Sequence, residues 1–250
     1  MEITEGGISG FVSRSVGVEE ASTAEATCAV MQMVARLEGV TLLRRQLIAA
    51  AAIGASMRVF DDGFDACPLE LASQRGADIL TAVKSESTGL TLDPRVIRGV
   101  GIAHDNFNPT ALTALEGLTA AQVDSVEQRR AGTSVDRVRD ITRRKGANTA
   151  LLFALEVSPE MTPSRRNCYE ELGFLIQLAD DYTDRYVDKA DGISTLVTLA
   201  TSSLEPTLMI ARQSRRVKML FAQEYPHEKL SELFGYIDRM LAAAGLASVV

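Results

Sequence analysis

Two helix-patterned stretches of this chain run into the same acidic pattern, Asp-Asp-x-x-Asp. The first copy, Asp61-Asp62-Gly63-Phe64-Asp65, follows an Ala-rich stretch; the second, Asp180-Asp181-Tyr182-Thr183-Asp184, follows a Leu-rich one. On an α-helix, residues four apart share a face and the next residue lies beside them. Each copy therefore projects two or three carboxylates in one direction. Six carboxylates facing one another across an apolar cavity cannot all stay ionised without cations between them. Hard oxygen ligands of this kind suit Mg²⁺, which bridges a few carboxylates to the phosphates of a substrate. A lone copy reads most simply as a solvated helix end, since charge runs usually face water. Recurrence weighs against that reading, and so does the apolar character of both preceding segments. The pairing points to chemistry on a diphosphate at the mouth of an apolar helical cavity.

The rest of the chain supplies such a cavity with helices. Ala and Leu dominate, Trp is absent, and no long β-branched alternation occurs. Helix signals run from Glu19 to Leu37 with Gly39 as the stop, and from Thr41 through the first acidic motif. They resume from Pro68 to about Ser85, from Pro94 to about Ala103, and after Pro109, with an amphipathic stretch over Thr119 to Arg130. Thr133-Ser134 caps a helix reaching Val157, and Ser158-Pro159 and Thr162-Pro163 break the chain. The strongest pattern covers Ser164 to Asp188, followed by Glu205 to Ala222 and His227 to Ala244. The expected fold is all-α: one domain of about ten helices over residues 19–250, preceded by a loose arm over residues 1–18, where Gly6-Gly7 interrupts any periodicity.

Charge and cysteine content narrow the functional class. The net charge of −7 makes a general nucleic-acid binder a poor fit. Cys28, Cys67 and Cys168 have no metal-ligand spacing and are expected as reduced thiols. Met1 to Glu5 lacks the basic and apolar regions of a signal peptide, and the longest apolar run, Leu47 to Met57, is too short to span a bilayer. A cytoplasmic protein without stable membrane insertion is the expectation.

The motifs together resemble those of the class I isoprenoid synthases, the superfamily of trans-prenyltransferases and class I terpene synthases. Phe174 to Asp184, with Asp188 and Lys189 after it, resembles the second aspartate-rich segment of polyprenyl diphosphate synthases. Ser56-Met57-Arg58-Val59-Phe60 leading into Asp61 resembles the helix before their first segment, and Asn148-Thr149-Ala150-Leu151-Leu152-Phe153 a third, where that family usually has Lys-Thr. Gln122 with Asp124 is a weaker match to a Gln-x-x-Asp-like helix. The likeness spans roughly residues 41–200 in the expected order.

The resemblance implies a helical bundle around a central apolar cavity, with Mg²⁺ held by Asp61, Asp62 and Asp65 from one wall and by Asp180, Asp181 and Asp184 from the other. It implies Arg58, Lys145 and Lys189 as diphosphate partners, with Gln177, Asn148 and Thr149 at the substrate. Lys145 lies about one turn before Asn148 and stands in for the missing family Lys. Phe60 and Phe64 flank the first motif and either set cavity depth or serve ordinary core packing. Each basic residue, like Arg143, Arg144, Arg129 and Arg130, reads on its own as a solvated surface charge. Homodimers are usual in the superfamily.

The departures bear on the reaction. Chain-elongating members carry a Gly-Lys-Arg segment near the N-terminus and an Arg-Arg-Gly shortly after the first motif, which bind isopentenyl diphosphate and the allylic diphosphate. Here no Gly-Lys-Arg occurs, and Gln74-Arg75-Gly76 sits too far from Asp65. Ordinary elongation is not expected. Prenyl transfer to another small-molecule acceptor is one reading, since Ser56-Met57-Arg58 and Ala179-Asp180-Asp181 also resemble the small prenyltransferases of moenomycin-type phosphoglycolipid biosynthesis. Cyclisation of one prenyl diphosphate is a second, disfavoured by the scarcity of cavity aromatics and by the aspartate-rich second motif. A non-catalytic binding subunit is a third, in which the intact aspartates would have no purpose. His104, Asp105 and Asn106 read as a helix break with capping residues, and His227 as a helix start.

Overall fold

Helical periodicity without strand patterning carries straight into the structure. The computed structural model describes residues 5–17, 22–65, 68–83 and 93–246, and among them ten α-helices and two 3₁₀ turns occur, with no strand. The helices are α1 (Glu5–Val16), α2 (Ser22–Glu38), α3 (Arg44–Asp65), α4 (Leu69–Val83), α5 (Pro94–Asn106), α6 (Pro109–Ser125), α7 (Val135–Val157), α8 (Pro163–Ala190), α9 (Leu204–Glu224) and α10 (Ser231–Ala243). Among the described residues no helix is long and apolar enough to cross a membrane. The chain divides into two compact units: Met1–Val123 with Leu152–Glu160, and Asp124–Leu151 with Met161–Val250.

The first unit is organised around α3. Ala49, Ala50, Ala51 and Ala52 follow one another around this helix, and all four are fully buried. Successive residues point in different directions around an α-helix, so burial on every side requires neighbours on every side. Helices α1, α2 and α5 supply them. The small side chains permit backbone-level approach. A Cβ added to Gly54 would lie 2.7 Å from the Thr23 carbonyl oxygen, and one added to Gly99 would lie 2.6 Å from the Ser56 Cβ. Thr27 Oγ1 donates to the Ala50 carbonyl at 2.9 Å, a polar tie between α2 and α3.

At the start of α6, Asn108 Oδ1 accepts from the Ala111 N–H at 2.9 Å as an N-cap. The Asn108 N–H in turn donates to Glu156 Oε2 at 2.6 Å. Burial pushes the Glu156 carboxyl above the ordinary range, against that bond and the nearby Arg45 charge.

The second unit is built on α8 and α9, which pack along each other. Thr162 caps α8, its Oγ1 accepting from the Arg165 N–H at 3.3 Å, and Pro163 occupies the first turn. Tyr169 meets Phe221 edge-on at 5.3 Å between centroids, and Phe221 stacks on Tyr225 at 5.6 Å. Glu171, 3% exposed, accepts from Arg143 Nη1 at 2.7 Å and from Gln213 Nε2 at 2.7 Å, and pairs with Arg216 at 3.3 Å. Burial raises the Glu171 carboxyl, but these donors and charges outweigh it and hold it below the ordinary range.

Three expectations need correction. The stretch expected as a loose arm contains α1, with Val12 and Val16 buried and the helix packed on α3. Gly6, Gly7 and Gly10 hide its periodicity, and packing on α3 outweighs their poor helix propensity. Helix α5 also runs through His104, expected as a break, and stops where the Phe107 N–H bonds the Ala103 carbonyl. The stretch after Pro109 and the amphipathic stretch over 119–130 form one helix, α6, closed by a 3₁₀ turn over Val126–Arg129. Cys28 and Cys168 are buried, Cys28 donating through Sγ to the Leu47 carbonyl at 3.5 Å, and Cys67 lies outside the described residues.

Candidate functional site

The second acidic motif lies inside α8 rather than at its end. The apolar face of that helix runs through Phe174 and Leu178, both buried, at i and i+4, and position i+7 on the same face is Asp181. A carboxylate therefore occupies a position that helical spacing assigns to the interior. Asp181 is 8% exposed, whereas Asp180 and Asp184 face solvent.

Gln177, one turn earlier, donates through Nε2 to Asp181 Oδ1 at 3.0 Å and to Asp180 Oδ2 at 3.3 Å. Asp181 Oδ2 is buried and has no hydrogen-bond partner. Burial is the main cause that drives the Asp181 carboxyl up to about 7; Gln177 and the charge of Lys145 oppose it, and Asp180 and Asp188 reinforce it. Asp180 is also raised, first by the protein packed around its inner side, then by Asp184, against the pull of Lys145.

Lys145 comes from α7, and its approach has a local cause. Gly146, the next residue, meets Gly173 of α8 at backbone distance: a Cβ on Gly146 would lie 2.6 Å from the Gly173 carbonyl carbon. Only paired glycines let the two helices touch so closely. The charge of Lys145 consequently reaches both Asp180 and Asp181. Asn148 and Thr149, farther along α7, bond back to their own helix: Asn148 Nδ2 donates to the Arg144 carbonyl at 2.8 Å and Thr149 Oγ1 to the Lys145 carbonyl at 2.9 Å. Lys189 lies exposed in the last turn of α8, where a cation suits the helix dipole.

The first motif belongs to the first unit. Its backbone continues α3 through Asp65, as the sequence pattern predicts. The side chains of Arg58, Phe60, Asp61, Asp62, Phe64 and Asp65 lie outside the described residues.

Two residues of this region have no role in the sequence reading, although Asp188 is quoted there beside the second motif. Asp188 acts on Asp181, and its signal was its place seven residues on, along the same helix face. The Arg185 guanidinium lies over the rings of Tyr182 at 4.2 Å and Tyr186 at 4.4 Å; the spacing of two tyrosines around an arginine was its only trace. Arg143 and Arg144, read as surface charges, are committed elsewhere. Arg143 serves Glu171 and covers the Phe174 ring at 4.5 Å, while Arg144 holds Asp124 at 2.6 Å and Asp140 at 2.9 Å.

Among the described residues no group of three or more His, Cys, Asp or Glu side chains is close enough to hold a metal ion. The second motif alone therefore does not form a complete cage. It offers a buried carboxylate oxygen without a partner, beside a second carboxylate, and both are disfavoured in their ionised forms. A divalent cation or a proton would relieve that arrangement, and the all-oxygen donor set fits Mg²⁺. No family model, curated protein or solved structure matches the chain.

Proposed function

We propose that this protein is a Mg²⁺-dependent prenyltransferase of the class I isoprenoid synthase type, acting on an allylic prenyl diphosphate and an acceptor other than isopentenyl diphosphate. The observation that carries the reading is Asp181: a motif carboxylate placed on the apolar face of its helix, with one oxygen buried and unpartnered. A merely solvated acidic run would not be buried in this way.

In this reading the two motifs belong to one helical bundle around an apolar cavity, in a protein that functions as a cytoplasmic homodimer. Asp180, Asp181 and Asp184, with Asp61, Asp62 and Asp65, would hold Mg²⁺, which when bound neutralises charge on a departing diphosphate. Gln177 orients two of these carboxylates through its single amide group. Lys145, with Arg58 and Lys189, adds positive charge toward the diphosphate, and Asn148 and Thr149 line its approach. As the allylic C–O bond breaks, pyrophosphate leaves with the electron pair. The acceptor nucleophile then bonds to the allylic carbon and releases a proton. Apolar walls, including Phe60 and Phe64, exclude water from the cation. The missing isopentenyl diphosphate signatures and the likeness to moenomycin-type small prenyltransferases favour a different acceptor.

The test is a product assay by mass spectrometry, with pyrophosphate followed in parallel. Geranyl, farnesyl and geranylgeranyl diphosphate are each supplied with Mg²⁺, with and without isopentenyl diphosphate, to wild type and Asp181→Ala. A prenylated adduct and pyrophosphate formed only when a pool of non-diphosphate small-molecule acceptors is added, and lost in the variant, support the reading. A hydrocarbon or alcohol formed without acceptor makes the protein a cyclase, and longer diphosphates formed only with isopentenyl diphosphate make it an elongating synthase. Unchanged turnover in Asp181→Ala removes the motif from the chemistry.

A further inference from the structure

The face of α9 turned away from the core is apolar where a solvent-facing helix should be polar. Its buried side is complete: Ile210, Val217 and Phe221 are at most 1% exposed. On the opposite side Leu204 is 60% exposed, Leu208 41% and Met219 55%. Positions 204, 208, 212, 215 and 219 advance by steps of four, four, three and four, which keeps them on one stripe of the helix. The two remaining places on that stripe are Arg212 and Arg215, both exposed.

Neither arginine has a carboxylate partner among the described residues; Arg215 bonds only the Ala211 carbonyl of its own helix, at 3.4 Å. Neighbouring cations on α9 are already paired, Arg216 with Glu171 and Lys218 with Asp238 at 2.6 Å. Glu205, at the N-terminal end, accepts from the Thr201 N–H and hydroxyl at 3.0 and 3.1 Å. Beside the stripe runs an open groove of about 610 Å³, whose lining includes Leu204, Glu205, Leu208, Met209, Arg212 and Arg216.

We propose that this stripe of α9 docks the protein on an anionic phospholipid surface, with Leu204, Leu208 and Met219 seated at the acyl boundary and Arg212 and Arg215 on the headgroup phosphates. An exposed helix face combining large apolar side chains with unpaired arginines has the pattern of an interfacial helix. Charge complementarity selects the surface: the protein as a whole carries −7, yet this stripe presents two arginines without carboxylate partners among the described residues, against the single carboxylate of Glu205 at its N-terminal end. Screening over about 10 Å at 0.1 M salt lets contacting arginines prevail over distant carboxylates. The attachment is peripheral, because the other face of α9 is committed to the core.

Vesicle sedimentation tests this with purified full-length protein. Vesicles of phosphatidylcholine alone are compared with vesicles that also contain phosphatidylglycerol. Wild type should sediment with the anionic vesicles only, and added salt should weaken the association. The Leu204→Ser/Leu208→Ser pair and the Arg212→Gln/Arg215→Gln pair should each lower binding by about tenfold or more. The arginine pair leaves every core contact in place, so it remains informative if the leucine pair fails to fold. Equal recovery on neutral vesicles, no recovery on either, or recovery unaffected by both pairs overturns the proposal. Light scattering supplies the remaining outcome: a wild-type dimer that the substitutions turn into monomer, without vesicle binding, assigns the stripe to a second copy of the chain and overturns the proposal too.

Discussion

Gly146 of α7 and Gly173 of α8 touch backbone to backbone. A Cβ on Gly173 would lie 2.5 Å from the Gly146 carbonyl carbon and 3.0 Å from the Ala147 nitrogen, and the reciprocal addition fares no better. The atoms in the way are main-chain atoms, which cannot rotate aside. Gly173→Ala should therefore destabilise the protein by about 1–3 kcal/mol, the usual cost of overpacking. It should also withdraw Lys145 from Asp180 and Asp181. Urea denaturation gives the first effect. If both folded stability and catalytic turnover match wild type, the crossing is looser than described.

Asp181→Asn should stabilise the metal-free protein at neutral pH. The sign follows from burial. A carboxyl whose folded pKa, about 7, lies above its ordinary 3.8 carries no penalty when protonated in both states and the full penalty once ionised in both. The stability gained by Asp181→Asn should therefore be small near pH 4, grow through the window between those values, and level off above it. Melting temperatures of both proteins in chelator across pH 4–8 measure it. A gain independent of pH would mean that the carboxylate is not the source of the penalty.

Mg²⁺ should raise the melting temperature of wild type at pH 8. A cation bound only by the folded state adds about 2.7 kcal/mol at a hundredfold excess over its dissociation constant. Asp181→Asn should lose most of that gain while keeping its fold. An equal rise in both proteins would place the cation elsewhere.

Glu171→Ala should cost about 2 kcal/mol, because it strands Arg143, Arg216 and Gln213; the partial exposure of the two arginines keeps the figure below that of a fully buried pair. The Glu171 pKa is held below its ordinary 4.5. Its stabilisation is therefore present above that value and lost as the pH falls through the folded-state value. Wild type and variant should differ most at neutral pH and converge in strong acid, as read by urea midpoints.

Much of this architecture could be read from residue patterns. The breaks at Ser158-Pro159 and Thr162-Pro163 delimit α7 and α8, and the Ala-rich run into Asp61 is α3. Lys145, whose charge reaches Asp180 and Asp181, entered the sequence reading only through the resemblance, as a stand-in one turn before Asn148 for the family lysine. What escaped was set by tertiary contact. Helix α1 depends on packing against α3, and the burial of Asp181 but not Asp180 depends on which face of α8 the core covers. The Gly146 and Gly173 pair lies on different helices, so no local window contains both. The exposed stripe of α9 was hidden for a similar reason: its leucines look like core until Ile210, Val217 and Phe221 are found occupying the opposite face.

The four buried alanines of α3 have a consequence for how this protein can change. Alanine has no rotamers, so a neighbour that grows or shrinks cannot be accommodated by a side chain swinging aside on that helix. Adjustment must come from α1, α2 and α5. In a library randomised across the first unit, variants that retain function should accumulate substitutions on those surrounding helices. Positions 49–52 should stay almost closed, and the segment leading to the first acidic motif should be the slowest part of the unit to diverge.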